Sequence, residues 1–331
     1  MEWISQIFVK MPDFTRVARF MGISTGINAL LRPAALLGLV APLGLAALSG
    51  LAPAVARAGE DVDERRDVSA TGSVRIVNMR GGMEIVGWDR DEAYVSGELD
   101  DLSDGLRFKV DGDRTLIRVL MPQHHVHHGD GSALIIYLPS ASSVQIRSVS
   151  ADINLMGIKG AIAIRTMSGN VLAQDVGKAT RINTVSGDVS VYKGGGRVKV
   201  VTISGEVALE LAATDISVDT MSGEIDLELE DFDTLIVSTT KGELEIEGTL
   251  NPAGRIEAST VKGDIELELE DPINARIIVR TGRHGDIENE LNDAEAIEID
   301  SHIKRLEMVV GDGSGHIRLT SVRGDIRLEE G

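Results

Sequence analysis

Cysteine is absent from all 331 residues. Disulfides, thiolate metal sites, a cysteine nucleophile and a lipidated cysteine anchor are therefore excluded. Aromatic residues make up only 3% of the chain, which argues against an aromatic-lined binding cleft. The sequence also lacks H-E-x-x-H, G-x-S-x-G and a dinucleotide fingerprint. Gly311-Asp312-Gly313-Ser314-Gly315 is glycine-rich, but it lacks the Gly-Lys-Ser/Thr of a phosphate loop and reads as a turn. No catalytic residue and no cofactor-binding residue is assigned. Hydrophobic residues, by contrast, reach 43%, and there are 36 glycines. That is the profile of a Val/Ile/Leu-rich β protein with many turns.

Positive charge is in deficit. The chain holds 33 Lys and Arg against 52 Asp and Glu, a net of −19. Residues 1–58 carry five of the basic and two of the acidic residues, which leaves 28 and 50 downstream, a net of −22. Charge of that sign repels nucleic acid and anionic headgroups and favours basic partners or divalent cations.

Residues 34–51 form the one long uncharged apolar run. Arg32 precedes it, Pro53 breaks it, and Ala56 and Ala58 stand at the −3 and −1 positions of an A-x-A site. This is signal-peptide grammar, and it predicts export with cleavage after Ala58. The stretch before Arg32 is long for a signal, so translation could also start at Met11 or Met21. An uncleaved membrane anchor is the competing reading, weakened by Pro42, Gly44 and Gly50.

From residue 150 onward one phrase returns. Ser-Ala-Asp-Ile begins at Ser150, Ser-Gly-Asn-Val at Ser168, Ser-Gly-Asp-Val at Ser186, Ser-Gly-Glu-Val at Ser204 and Ser-Gly-Glu-Ile at Ser222, each 18 residues after the last. The spacing then loosens through Lys241, Lys262, His284 and Arg323. A fixed period of this size signals a solenoid. Within a rung, Val189 and Val191, then Val198 and Val200, alternate with polar residues on either side of a Gly194-Gly195-Gly196 turn. Alternation buries one face, and only stacking on further rungs covers it. The expected fold is all-β: a parallel β-helix or β-solenoid with rungs of about 18 residues. An antiparallel sandwich or meander, with Ser-Gly-Asp closing hairpins, is the alternative. Residues 59–149 are strand-rich but less regular. The organisation expected is thus a leader (1–58), an N-terminal β-rich cap (59–149) and the repeat region (150–331), whose last part, 290–331, forms the other end.

Gly-Gly-Met-Glu-Ile-Val-Gly-Trp-Asp at 81–89, Leu-Ile-Ile-Tyr-Leu-Pro at 134–139 and the Ser-Gly-Asp/Glu-Val/Ile series together resemble the DUF4097 family of bacterial envelope proteins, adhesin-like by label. The resemblance spans roughly the whole chain after the leader. It implies a β-solenoid outside the cytoplasm, in the periplasm or at the cell surface, and transfers no catalytic residue.

Three candidate chemistries remain. His124, His125, His127 and His128, with Asp130 nearby, have the density of a Zn²⁺, Cu²⁺ or Ni²⁺ site, but Pro122, Gly129 and Gly131 mark a solvated loop. Acids alternate with aliphatics in Glu224/Asp226/Glu228, Glu243/Glu245/Glu247 and Asp264/Glu266/Glu268. Stacked rungs would turn these into carboxylate ladders, which cations would bridge or which simply keep the face soluble. Arg323-Gly324-Asp325 spells a cell-attachment tripeptide in the slot of an ordinary rung corner. The reading that results is a non-catalytic structural or interaction module of the cell envelope, adhesin-like or envelope-stress related, that presents an acidic β-solenoid face to an unidentified protein or glycan partner. It has no nucleic-acid role, and it meets a membrane only through the N-terminal segment if that is uncleaved. The alternatives are a polysaccharide-acting β-helix enzyme and an envelope divalent-metal binder. Against the enzyme stand the six aromatics downstream of the leader, too few for sugar-stacking platforms, and the short rungs.

Overall fold

The computed structural model describes residues 59–122, 129–282, 284–300 and 302–331. These form 23 strands, and no helix occurs among the described residues. The first seven are β1 (Asp61–Asp67), β2 (Ser73–Val77), β3 (Arg80–Trp88), β4 (Glu92–Glu98), β5 (Leu106–Asp111), β6 (Arg114–Val119) and β7 (Ser132–Pro139). Next come β8 (Ser143–Arg147), β9 (Ser150–Met156), β10 (Ala161–Arg165), β11 (Val171–Gln174) and β12 (Ala179–Asn183). Four long strands follow, β13 (Val189–Val201), β14 (Val207–Asp219), β15 (Ile225–Ser238) and β16 (Leu244–Thr260), and then β17 (Ile265–Leu269). The last are β18 (Ala275–Thr281), β19 (Ile287–Asn289), β20 (Ile297–Asp300), β21 (Ile303–Val310), β22 (Gly315–Ser321) and β23 (Ile326–Glu330).

Pairing is parallel throughout the stack, so the chain is a β-solenoid and not a hairpin meander. Each rung contributes one strand to each of two ribbons. In the first ribbon Leu134, Met83, Ile153, Val171, Val189, Val207, Ile225, Leu244, Ile265, Ile326 and Ile287 are successive register partners. In the second, Ile117, Ile76, Ile146, Ile164, Ile182, Val200, Val218, Val237, Ala258, Leu319 and Val279 line up in the same way. Nearly all of these side chains are buried in one continuous core. The column expected from the repeat, Val189, Val207, Ile225, Leu244 and Ile265, is among them, none more than 1% exposed. The alternation explains the sheet, since every second side chain points inward and the stacked column removes it from water.

Strands β13 to β16 cross from the first ribbon to the second as single bent strands, with register shifts at the bends. The extra residues at these bends lengthen the period beyond 18. Val189 to Val207 is an 18-residue step, whereas Leu244 to Ile265 is 21.

The glycine of the repeated phrase sits at the other corner. Gly187, Gly205 and Gly223 have φ of 113°, 123° and 137°. A Cβ on Gly205 would stand 2.3 Å from the carbonyl oxygen of Gly187, and one on Gly223 2.0 Å from that of Gly205. Only glycine satisfies both demands. Beside it a column of buried threonines bonds the corner, with Thr184 Oγ1 donating to Ser186 O and Thr202 Oγ1 to Ser204 O, each at 3.0 Å.

At both ends spatial order departs from chain order. The β2–β3 rung lies between the β6–β7 and β8–β9 rungs. The β22–β23 rung, last in sequence, lies between the β16–β17 rung and the terminal β18–β19 rung. Antiparallel strands then cover the exposed edges, β4 and β1 on β7, β5 on β6, and β21 and β20 on β18. Uncovered parallel edges would recruit further strands. At the N-terminal end the buried Asp100 carboxylate takes a two-pronged bond from the Arg80 guanidinium and accepts the Leu102 N–H at 2.9 Å. These contacts hold its pKa below the usual carboxylate range.

Candidate functional site

The outward positions of the first ribbon build the acidic ladders. The residue after each corner glycine, or after Ala151 in the first of these rungs, forms one column, Asp152, Asn170, Asp188, Glu206, Glu224, Glu243, Asp264, Asp325 and Asp286. Its short members are structural. Asp152 Oδ1 accepts the N–H of Asn170 at 2.8 Å, Asn170 Oδ1 that of Asp188 at 3.0 Å, and Asp188 Oδ1 that of Glu206 at 3.0 Å. The Asp/Asn of the Ser-Gly-Asp phrase is thus a rung-to-rung clamp. From Glu206 to Glu243 the longer side chain replaces it, and the carboxylates add charge to the surface.

Two further columns lie beside it. Asp226, Glu245 and Glu266 are register partners, as are Glu210, Glu228, Glu247 and Glu268. Equivalent atoms on neighbouring strands stand about 4.8 Å apart. Burial and then the Glu245 charge push Asp226 up from 3.8 to about 6. Burial and the Glu266 charge raise Glu245, burial and the Glu268 charge raise Glu247, and burial and the Glu224 charge raise Glu206. Among the described residues all four lack an ion pair, and a cation enters the column of Asp226 and Glu245 at Arg327, 3.8 Å from Glu266 and 2.8 Å from Glu288. A shallow depression of about 370 Å³ opens where Glu228, Glu230, Asp231, Glu247 and Glu270 meet. The ladders predicted from the alternation of acids and aliphatics therefore exist, stacked in register.

The second ribbon carries the opposite charge. Across its first six rungs the outward positions include Arg114, Arg118, Arg75, Arg147, Arg165 and Arg181, ending at Arg197 and Lys199. No outward position of those strands is acidic. Arg197 pairs with Asp215 at 3.1 Å and Lys199 with Asp219 at 3.5 Å, one rung on. Arg75, Arg147, Arg165 and Arg181 have no carboxylate within ion-pair reach among the described residues. Net charge gave no sign of this separation, because it sums the two faces.

Two other features were not visible in the sequence. Trp88, Tyr94 and Tyr137 come together at the N-terminal end, with ring centroids 5.2 Å and 6.0 Å apart, and Arg65 and Arg90 lie over the rings of Tyr94 and Trp88. Half of the aromatics downstream of the leader thus form one cluster. Along the glycine corner, Val149, Met167, Val185, Ile203 and Met221 form an exposed apolar line, one per rung.

The histidine cluster His124, His125, His127 and His128, and the leader with its cleavage site after Ala58, lie outside the described residues. Asp130 is exposed. Among the described residues no group of three or more His, Asp or Glu has a metal-holding arrangement, and no helix is long and apolar enough to cross a membrane. The Arg323-Gly324-Asp325 tripeptide is a rung corner, where Asp325 N–H donates to Asp264 Oδ1 and Asp325 Oδ1 accepts from Asp286 N–H, both at 2.7 Å. Residues 311–314 are the turn between β21 and β22, and Gly315 opens β22.

The model of the Toastrack DUF4097 family matches residues 107–329, and the chain belongs to that family. No curated protein matches it. Among solved structures it is similar to a "putative adhesin" from Bacteroides fragilis NCTC 9343, with 12% identity, 81% of this chain and 97% of that one covered, and a TM-score of 0.43. It is also similar to a "putative lipid binding protein" from Parabacteroides distasonis ATCC 8503, with 12% identity, 82% and 97% covered, and a TM-score of 0.38. A third, a "putative cell adhesion protein" from Clostridium sporogenes ATCC 15579, has 11% identity, 82% and 100% covered, and a TM-score of 0.22. At these scores the likenesses carry no argument about function.

Proposed function

We propose that this chain is a non-catalytic, adhesin-like interaction module of the cell envelope, exported and cleaved after Ala58, and that its acidic first ribbon is the recognition face. The observation that carries the reading is the pair of adjacent carboxylate columns holding Asp226, Glu245 and Glu247, whose carboxyls are raised in pKa and lack ion pairs among the described residues. A fold that crowds like charges on a flat sheet sacrifices stability there. A basic partner, protein or cationic glycan, recovers that energy on binding. Such a face suits an extended contact and not the enclosed, water-excluding site that catalysis uses.

The test separates the envelope into membrane-protein and cell-wall glycan fractions and measures binding of residues 59–331 to each. The expected result is salt-sensitive binding to one fraction that falls at least tenfold when Asp226→Asn, Glu245→Gln and Glu266→Gln are combined. Binding that ignores the triple change would sink the reading.

A further inference from the structure

The two charged faces differ in sign, in the ribbon that carries them and in place along the axis. The basic run fills the first six rungs of the second ribbon, from Arg114 to Lys199. The acidic run fills the far half of the first ribbon, from Glu206 to Glu288. Each of these rungs brings at least one charge of its sign, about 4.8 Å further along the axis, but the acids stack in register whereas the arginines shift among the three outward columns of their ribbon. Arg147, Arg165 and Arg181 are exposed and without a carboxylate in reach among the described residues, in a chain with 52 acidic residues. The front of this same protein offers a run of carboxylates over the same number of rungs.

From this complementarity we infer that the basic ribbon is a docking face for a second copy of the chain, which lays its acidic ribbon against it. The inference rests on the acidic ribbon being a recognition face, and it names one of that face's partners. Because the two runs occupy opposite halves of the stack, the copies engage staggered by about five rungs, roughly 24 Å. Six rungs by three outward positions span about 29 Å by about 17 Å, roughly 500 Å² on each partner, the size of a weak, reversible contact. The contact is heterologous: each copy offers its acidic front to one neighbour and its basic back to another, so it propagates as an open array and does not close as a two-fold dimer. Arginine suits the role, since its guanidinium can fork onto a carboxylate.

The test uses sedimentation velocity of residues 59–331 over a concentration series. Two variants are made: a back variant, Arg147→Gln, Arg165→Gln and Arg181→Gln, and a front variant, Glu228→Gln, Glu245→Gln and Glu247→Gln. All six positions are at least partly exposed, and circular dichroism confirms that each variant folds. Unaltered protein is expected to self-associate at about 0.05 M NaCl and to dissociate at about 0.5 M, as screening shortens the Debye length. Each variant alone is expected to lose at least tenfold in association. Mixing the two is expected to restore it as a one-to-one pair, because the back variant keeps its acidic front and the front variant its basic back. Failure of the mixture to pair, or association that both variants retain, would overturn the inference. So would a protein that stays monomeric yet sediments with phosphatidylglycerol vesicles through the three arginines, which would assign the face to a lipid surface. The recognition reading stands or falls separately, because the back variant leaves the acidic ladder, and its binding to envelope fractions, intact.

Discussion

Asp226 lies directly across from Glu245 on the neighbouring parallel strand, in the same outward column, and neither carboxylate has an ion-pair partner among the described residues. The pair makes the stability of the fold depend on pH in a defined direction. Asp226 has a folded-state pKa of about 6 against an ordinary 3.8, and Glu245, Glu247 and Glu206 are raised as well. Between these values the folded state binds more protons than the unfolded chain, so stability falls as pH rises. Asp100 has the opposite sign: its lowered pKa contributes stability above the ordinary carboxylate range, and that is lost as pH drops through its folded value. The melting temperature is therefore expected to rise as pH is lowered from about 7 to about 5, and to collapse in stronger acid. A melting temperature that falls steadily from pH 7 downward would refute the ladder's contribution.

Leu227 stands between Asp226 and Glu228 but faces the core, with no exposure. Leu227→Ala should cost about 2–5 kcal/mol, since the stacked column above and below it cannot collapse into the gap. Glu228→Ala, one residue on and exposed, should leave stability within about 0.5 kcal/mol or improve it. Urea denaturation of both variants checks the inward and outward assignment.

The glycine corner admits no side chain. Gly205→Ala combines a φ of 123° with an overlap against the Gly187 carbonyl oxygen. It is expected to cost more than about 3 kcal/mol or to prevent folding. Gly195→Ala, whose nearest neighbouring atom is 3.8 Å away, is the matched control and should be tolerated.

Much of this was legible in the sequence. Val189, Val207 and Ile225 recur at equal spacing after a glycine, which favours a parallel stack over an antiparallel meander and points to the buried column and the ladders beside it; the pairing itself decides for the stack. The order of the end rungs was not legible. Arg323-Gly-Asp-Ile carries the same phrase as Lys262-Gly-Asp-Ile, and nothing in either says that they are spatial neighbours while His284 lies beyond them. A phrase encodes a rung's shape and not its address. The charge separation was hidden for a different reason: arginines such as Arg147, Arg165 and Arg181 sit on the second strand of their rungs, outside the repeated phrase that draws the eye. The aromatic cluster joins Trp88, Tyr94 and Tyr137 from three strands, a contact that only the fold creates.

The last prediction distinguishes screening from a specific cation site. Two carboxylates about 5 Å apart repel by roughly 1–3 kcal/mol at effective dielectrics between those of water and about 20, before salt is added. Exposure lowers the realised cost. Arg327 already relieves the ladder at the Glu266 end, which leaves Asp226, Glu245 and Glu247 as the strained part. Sodium chloride at about 1 M shortens the Debye length to about 3 Å, less than the rung spacing, and should raise the melting temperature. Millimolar Ca²⁺ at matched ionic strength should add little if screening alone relieves the repulsion, since screening depends on ionic strength and not on the identity of the ion. Combining Asp226→Asn, Glu245→Gln and Glu266→Gln should raise the melting temperature at low salt and flatten its salt dependence, since the charge is removed at nearly constant volume. The decisive outcome is a saturable Ca²⁺ shift in the unaltered protein that disappears in the triple variant. A ligand that binds only the folded state stabilises in proportion to the logarithm of its concentration over its Kd. That result would replace screening with a specific cation site.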